Sequence, residues 1–89
     1  MKLGMYSICD CLTGFMTPVL EQNDAAALRN FSMACDSSKP DRSLMSWKPS
    51  NFAIYKIAVF DSETGIVEPL SPIQCICEGS SLGGTSREG

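Results

Sequence analysis

Histidine is absent from this 89-residue chain. Its absence removes Ser-His and Cys-His nucleophile activation, His-containing zinc sites and imidazole acid–base chemistry. Cationic residues are scarce: seven Lys and Arg face ten Asp and Glu, a formal net charge of -3. That balance excludes coat-like wrapping of nucleic acid, which needs many phosphate contacts, but allows a local basic patch on an acidic body. Long apolar runs are also missing. None approaches the ~20 residues of a membrane span. The opening Met1–Tyr6 lacks the apolar core of a signal peptide, because Ser7, Asp10 and Thr13 interrupt it. The product is therefore expected to stay in the cytoplasm with no membrane partner. Glycine loops of the Walker or dinucleotide type are lacking too. Glu21, Asp24, Glu63 and Glu68 stand at no spacing that would pair carboxylates. Neither enzymatic activity nor a cofactor is expected.

What is present begins with five cysteines. An odd count without a leader favours free thiols over a disulfide scaffold. The length allows one domain that buries roughly 60–65% of its unfolded surface, so association with a second copy is expected to extend the core.

The stretch Phe52–Leu70 organises the chain. Its first half is β-branched and aromatic, Asp61-Ser62-Glu63-Thr64-Gly65 supplies turn chemistry, and Ile66-Val67 resumes before Pro69. This is a β-hairpin pattern: Asp61 can accept from backbone N–H groups two residues on, and Gly65 can take a positive φ. The motif Asp-x-x-Thr-Gly-x-x-x-Pro recurs at identical spacing from Asp10 to Pro18. The alignment sets Ile8 on Val59, Tyr6 on Ile57 and Cys9 on Phe60.

In chain order, residues 3–11 read as a first strand and residues 15–21 as its partner, with Pro18 at an edge or bulge. Asn23 or Asp24 caps a helix from Ala25 to Cys35, whose apolar stripe is Leu28, Phe31 and Cys35 with Ala27 and Ala34 at its margins. Asp36 to Asn51 is a long polar connection carrying Lys39, Arg42, Trp47 and Lys48. After the second hairpin, Ser71-Pro72 turns the chain into Ile73–Cys77, a short final edge strand or an extended arm. The expected fold is α+β: two hairpins forming an antiparallel sheet with one helix packed on it, β-β-α-β-β, across residues 1–78. A flexible Gly/Ser-rich tail is expected over 79–89. In the second hairpin Ala53, Tyr55, Ile57 and Val59 share one face, and Phe52, Ile54, Ala58 and Phe60 the other, interrupted by Lys56. Both faces are mostly apolar, so both are expected to be covered.

Two constellations carry chemistry. Cys9/Cys11 and Cys75/Cys77 would each place two thiols on one strand face, making them weak metal candidates. Zinc thiolates more often stand two to four residues apart on tight turns, so small buried hydrophobes are the simpler reading and no metal is assigned. Arg42, Trp47, Lys48 and Lys56, near Tyr55, combine cations with aromatics as single-strand nucleic-acid binders do. The plainer alternative makes Trp47 a lid over the core and the lysines solvated charges.

The chain resembles the small nonstructural protein of gokushovirus-type microviruses, which are single-stranded DNA bacteriophages. The resemblance lies in Met5-Tyr6-Ser7-Ile8-Cys9-Asp10, in Pro18, in the helix from Asn23 to Phe31, and in the run from Lys48 to Gly65. It covers about residues 1–70. The family's His before Pro is missing here, Asn51-Phe52 replaces its Asp-Tyr, and the Cys-x-Cys tail is peculiar to this chain. The resemblance implies a protein absent from the virion that acts in the host cytoplasm during genome replication or single-strand synthesis, often described as DNA-binding. Two functions are therefore expected. One is a non-enzymatic accessory that binds single-stranded DNA weakly as a homo-oligomer. The other is an interaction module that pairs with itself or with a viral or host replication protein and binds no nucleic acid.

Overall fold

A computed structural model describes residues 1–82. The elements are β1 (Lys2–Asp10), β2 (Gly14–Phe15), β3 (Val19–Glu21), α1 (Asp24–Ala34), α2 (Leu44–Trp47), a 3-10 turn (Pro49–Asn51), β4 (Phe52–Asp61) and β5 (Val67–Glu78). The strands form one antiparallel sheet in the order β2-β1-β4-β5, with β3 also paired to β1. The α+β plan of two hairpins flanking a helix is therefore the observed one.

The repeated turn motif builds two loops with the same aspartate bond but different lengths: Asp10 pairs with Gly14, whereas Asp61 stands opposite Ile66 and donates its N–H to the Ile66 carbonyl. Asp10 Oδ1 accepts the Leu12 N–H and Asp61 Oδ1 accepts the Glu63 N–H, each at 2.9 Å. Gly14 and Gly65 close the loops at φ 101° and 76°, a region that penalises any Cβ. Because β1 and β4 then pair antiparallel at the centre, the two turns lie at opposite ends of the sheet. The first hairpin departs from expectation in one respect. Its return strand splits into β2 and β3 around Met16–Pro18, where Pro18 has no N–H to give and the Ser7 hydroxyl donates to the Met16 carbonyl at 2.6 Å.

Asn23 is the N-cap of α1, its Oδ1 accepting the Ala26 N–H at 2.8 Å. Ala27, Phe31 and Cys35 are the residues it buries, whereas Leu28 stays 37% exposed. Phe31 and Cys35 of the expected stripe are buried as expected, and the face shifts toward its Ala27 margin by about a third of the 100° step, leaving Leu28 out. Tyr6, Phe52 and Ile54 meet this face, and Met45, Ile76 and Leu82 close around it.

Three irregularities revise the expected strand faces. The register passes from Tyr6↔Lys56 to Met5↔Ala58, so Ile57 is an extra residue and the alternation beyond it inverts. Ala58 and Phe60 therefore do not share a face with Phe52 and Ile54. The helix-side face holds Tyr6, Ile8, Ile54 and Lys56, then Gly4 and Val59. The other face holds Leu3, Met5 and Cys9 of β1, and Ala53, Tyr55, Ala58 and Phe60 of β4. On β5, Leu70–Ile73 bulges out between Pro69↔Ala58 and Gln74↔Lys56, so Ser71-Pro72, a cis peptide, does not end the strand. The expected short final strand is instead the second half of β5, still on β4 and at the sheet edge. Residues 79–82 form a helical turn, with Gly79 buried against the Pro49 carbonyl, so this part of the expected tail is packed. Residues 83–89 lie outside the described residues.

Candidate functional site

The connection between α1 and β4 is structured by serines. Ser43 caps α2 through a reciprocal pair: its Oγ accepts the Ser46 N–H at 3.2 Å, and its own N–H donates to Ser46 Oγ at 3.0 Å. Ser46 is consequently buried. Residues one position either side of Ser46 then diverge. Met45 packs on the core, while Trp47 is turned outward and 61% exposed. Met45, not Trp47, is the lid. Lys48 Nζ stands 5.6 Å from the Trp47 ring centroid, within cation–π range.

The other two cations are engaged within the fold. Arg42 donates to the Met33 carbonyl in the last turn of α1, where a positive group suits the helix dipole. Lys56 lies on the helix side of β4 with Nζ 3.6 Å from Asp24 Oδ1, the same oxygen that accepts the Tyr6 hydroxyl at 2.5 Å. Burial, and then the hydrogen bond to Asp24 and its charge, push the Tyr6 pKa upward. Of the four residues singled out from sequence, the fold shows only Trp47 and Lys48 in contact with each other, through that ring contact.

Immediately after Lys48, the 3-10 turn borders a shallow depression of about 270 Å³ lined by Cys9, Cys11, Ser50, Asn51, Tyr55 and Glu78, among others. The thiol pairs do not act as pairs. Ile76 is an extra residue between Tyr55↔Cys75 and Ile54↔Cys77, so Cys75 faces Tyr55 while Cys77 joins the core beside Cys35. Cys11 lies past the end of β1 and is exposed. Among the described residues no three Cys, Asp or Glu groups converge as a metal ion requires. Burial raises the Cys75 pKa, with Glu78 and Cys77 adding to it, and burial raises Cys35 to about 11. Such shifts make a thiol a poorer nucleophile at neutral pH. The Cys75 charge, ahead of burial, in turn raises Tyr55.

Sequence reasoning missed the Phe15–Tyr55 pair, an edge-on contact with centroids 5.6 Å apart on the face away from α1. The contact follows from the pairing of Cys9 with both Phe15 and Ala53, a register that the repeated turn motif does not specify. No described helix is long and apolar enough to cross a membrane.

Comparison with known proteins places the chain in a family. No curated protein and no solved structure matches it. The family model described as Phage ORF5 protein matches residues 3–82, a span that includes both hairpins, α1 and the Trp47–Lys48 corner. The chain belongs to the Phage ORF5 protein family and is a bacteriophage protein.

Proposed function

We propose that this phage protein is a non-enzymatic accessory of genome replication that binds single-stranded DNA weakly, in the host bacterial cytoplasm, during single-strand synthesis. The observation that carries the reading is Trp47. A tryptophan 61% exposed on a capped helical turn, with a lysine ammonium against its ring, offers a base a stacking surface beside a phosphate partner. The resemblance to microvirus nonstructural proteins supports the same reading. Arg42 and Lys56, both engaged within the fold, supply little to it. Binding then rests on about one phosphate contact, at Lys48, and affinity should fall only roughly 2- to 3-fold between 50 and 200 mM salt.

Trp47 is the one tryptophan of the chain, so its fluorescence reports this site alone. Titration with an oligonucleotide at low salt should quench it. Trp47→Phe should retain part of the affinity measured by anisotropy of labelled DNA, and Trp47→Ala should lose about 1–3 kcal/mol. Lys48→Gln should reduce the slope of log K against log salt by about 0.7. Unchanged Trp47 emission at low salt would sink the proposal.

A further inference from the structure

We propose that the sheet face opposite α1 is the docking surface for a second copy of this chain, in a face-to-face, two-fold dimer. This inference stands apart from the DNA reading and needs none of its residues.

The face is assembled by the register. Met5 pairs with Leu20 and Ala58, Leu3 with Phe60, and Phe60 with Val67, so these side chains project to the same side as Tyr55 and Phe15. Ser7 and Ala58 on this face are buried, at 2% and 4% exposure, while the apolar residues Phe15, Leu20 and Val67 stay open to solvent. Phe15 is 54% exposed and Leu20 42% exposed, values ordinary for isolated surface residues but not for neighbours on one surface. Among the described positions paired on this face, the charged residue is Glu78, at the corner beside Ala53.

Charge chooses the occupant. Two copies of a chain with net charge -3 repel each other wherever their charged faces meet. A nearly uncharged face is where they can approach at least electrostatic cost. The same absence of Lys and Arg disfavours DNA there, because a strand laid across the sheet would find stacking partners but no phosphate partner. Size agrees. A sheet four strands wide and nine residues long spans about 19 by 30 Å, roughly 1,100 Å² counted over both copies before side-chain relief is added. Stable interfaces begin at about 1,200 Å². Sheets stacked in this way sit about 10 Å apart and interdigitate their side chains.

The test is light scattering after size exclusion of the full chain, without DNA, over a range of concentrations. A dimer of twice the 9.6 kDa chain mass is expected. Phe15→Lys and Leu20→Lys change residues already exposed in the single copy, so each variant should keep its far-UV circular dichroism. Each should weaken the dimer at least about 100-fold, since like charges would be buried against each other. Both reduce the net negative charge, so general repulsion cannot explain that loss. Leu28→Lys, on the outer side of α1, adds the same charge elsewhere and should leave the dimer intact. A 9.6 kDa species at all concentrations overturns the proposal, and so does a dimer that both face variants preserve.

Discussion

Tyr6 is the residue on which the fold is most exacting. It is fully buried, its hydroxyl reaches Asp24 at the start of α1, and its ring lies over Gly4. A Cβ at position 4 would stand 2.4 Å from the Tyr6 oxygen and 2.6 Å from ring carbons, too close for any side chain. Gly4→Ala must therefore push the ring off Asp24. A loss of about 2–3 kcal/mol is expected, seen as a fall of roughly 10 °C or more in thermal midpoint. Asp24 separates two contributions. Asp24→Asn keeps an acceptor for Tyr6 but removes the Lys56 ion pair, which is partly exposed and worth about 1 kcal/mol or less. Asp24→Ala also strands a buried hydroxyl and should cost about 2–3 kcal/mol. Urea unfolding of the two variants measures the difference, and equal midpoints would show that the hydroxyl finds another partner. None of this was visible in the sequence, where Tyr6 was one strand residue among several and Asp24 a helix-capping candidate.

At the scale of elements, the duplicated turn is the clearest link from sequence to structure. Asp10 and Asp61 do the same work through the same bond, and the first of the causes holding the Asp61 carboxyl below its usual pKa is its bond from the Glu63 N–H. Gly14→Ala and Gly65→Ala should therefore destabilise alike, by about 1 kcal/mol each, because both positions require positive φ. Denaturant titrations that differ by much more than this would show that the positive φ is not the dominant cost at both glycines. The helix was legible in its ends and in most of its face, with Phe31 and Cys35 buried as expected and Leu28 the exception. Leu28 ranks above Ala27 on any hydrophobicity scale, yet the sheet is approached at Ala27. The strands were legible in extent but not in register. Nothing in the run Lys56-Ile57-Ala58, or in Cys75-Ile76-Cys77, announces an extra residue, and each such residue exchanges the faces of all that follow.

For the whole molecule, the small core makes buried acids matter. Cys35 and Tyr6 both sit in that core with raised pKa values. Below the unfolded-state values, near 9 and 10, both groups are protonated in both states and contribute no pH dependence. Above them the unfolded chain loses protons that the folded chain retains, so stability falls as pH rises. Cys35 alone accounts for up to roughly 2–3 kcal/mol by pH 11. Chemical denaturation at pH 7, 9 and 10.5 should give a flat response followed by a decline, and Cys35→Ala should flatten part of that decline. Stability that increased above pH 9 would contradict the burial of both groups.

The sequence by itself determined the fold class, the two turns, the helix cap and the exclusion of histidine chemistry, because each depends on residues near one another in the chain. It also marked Trp47 and Lys48 as neighbours. Only the tertiary structure decided that Lys56 answers Asp24, that Arg42 closes α1, that Cys75 and Cys77 part company, and that Trp47 faces outward while Met45 faces in. Each of those outcomes depends on which side of the sheet a residue reaches. Local spacing predicts that side only while the ladder is regular, and this ladder slips three times along its two long pairings.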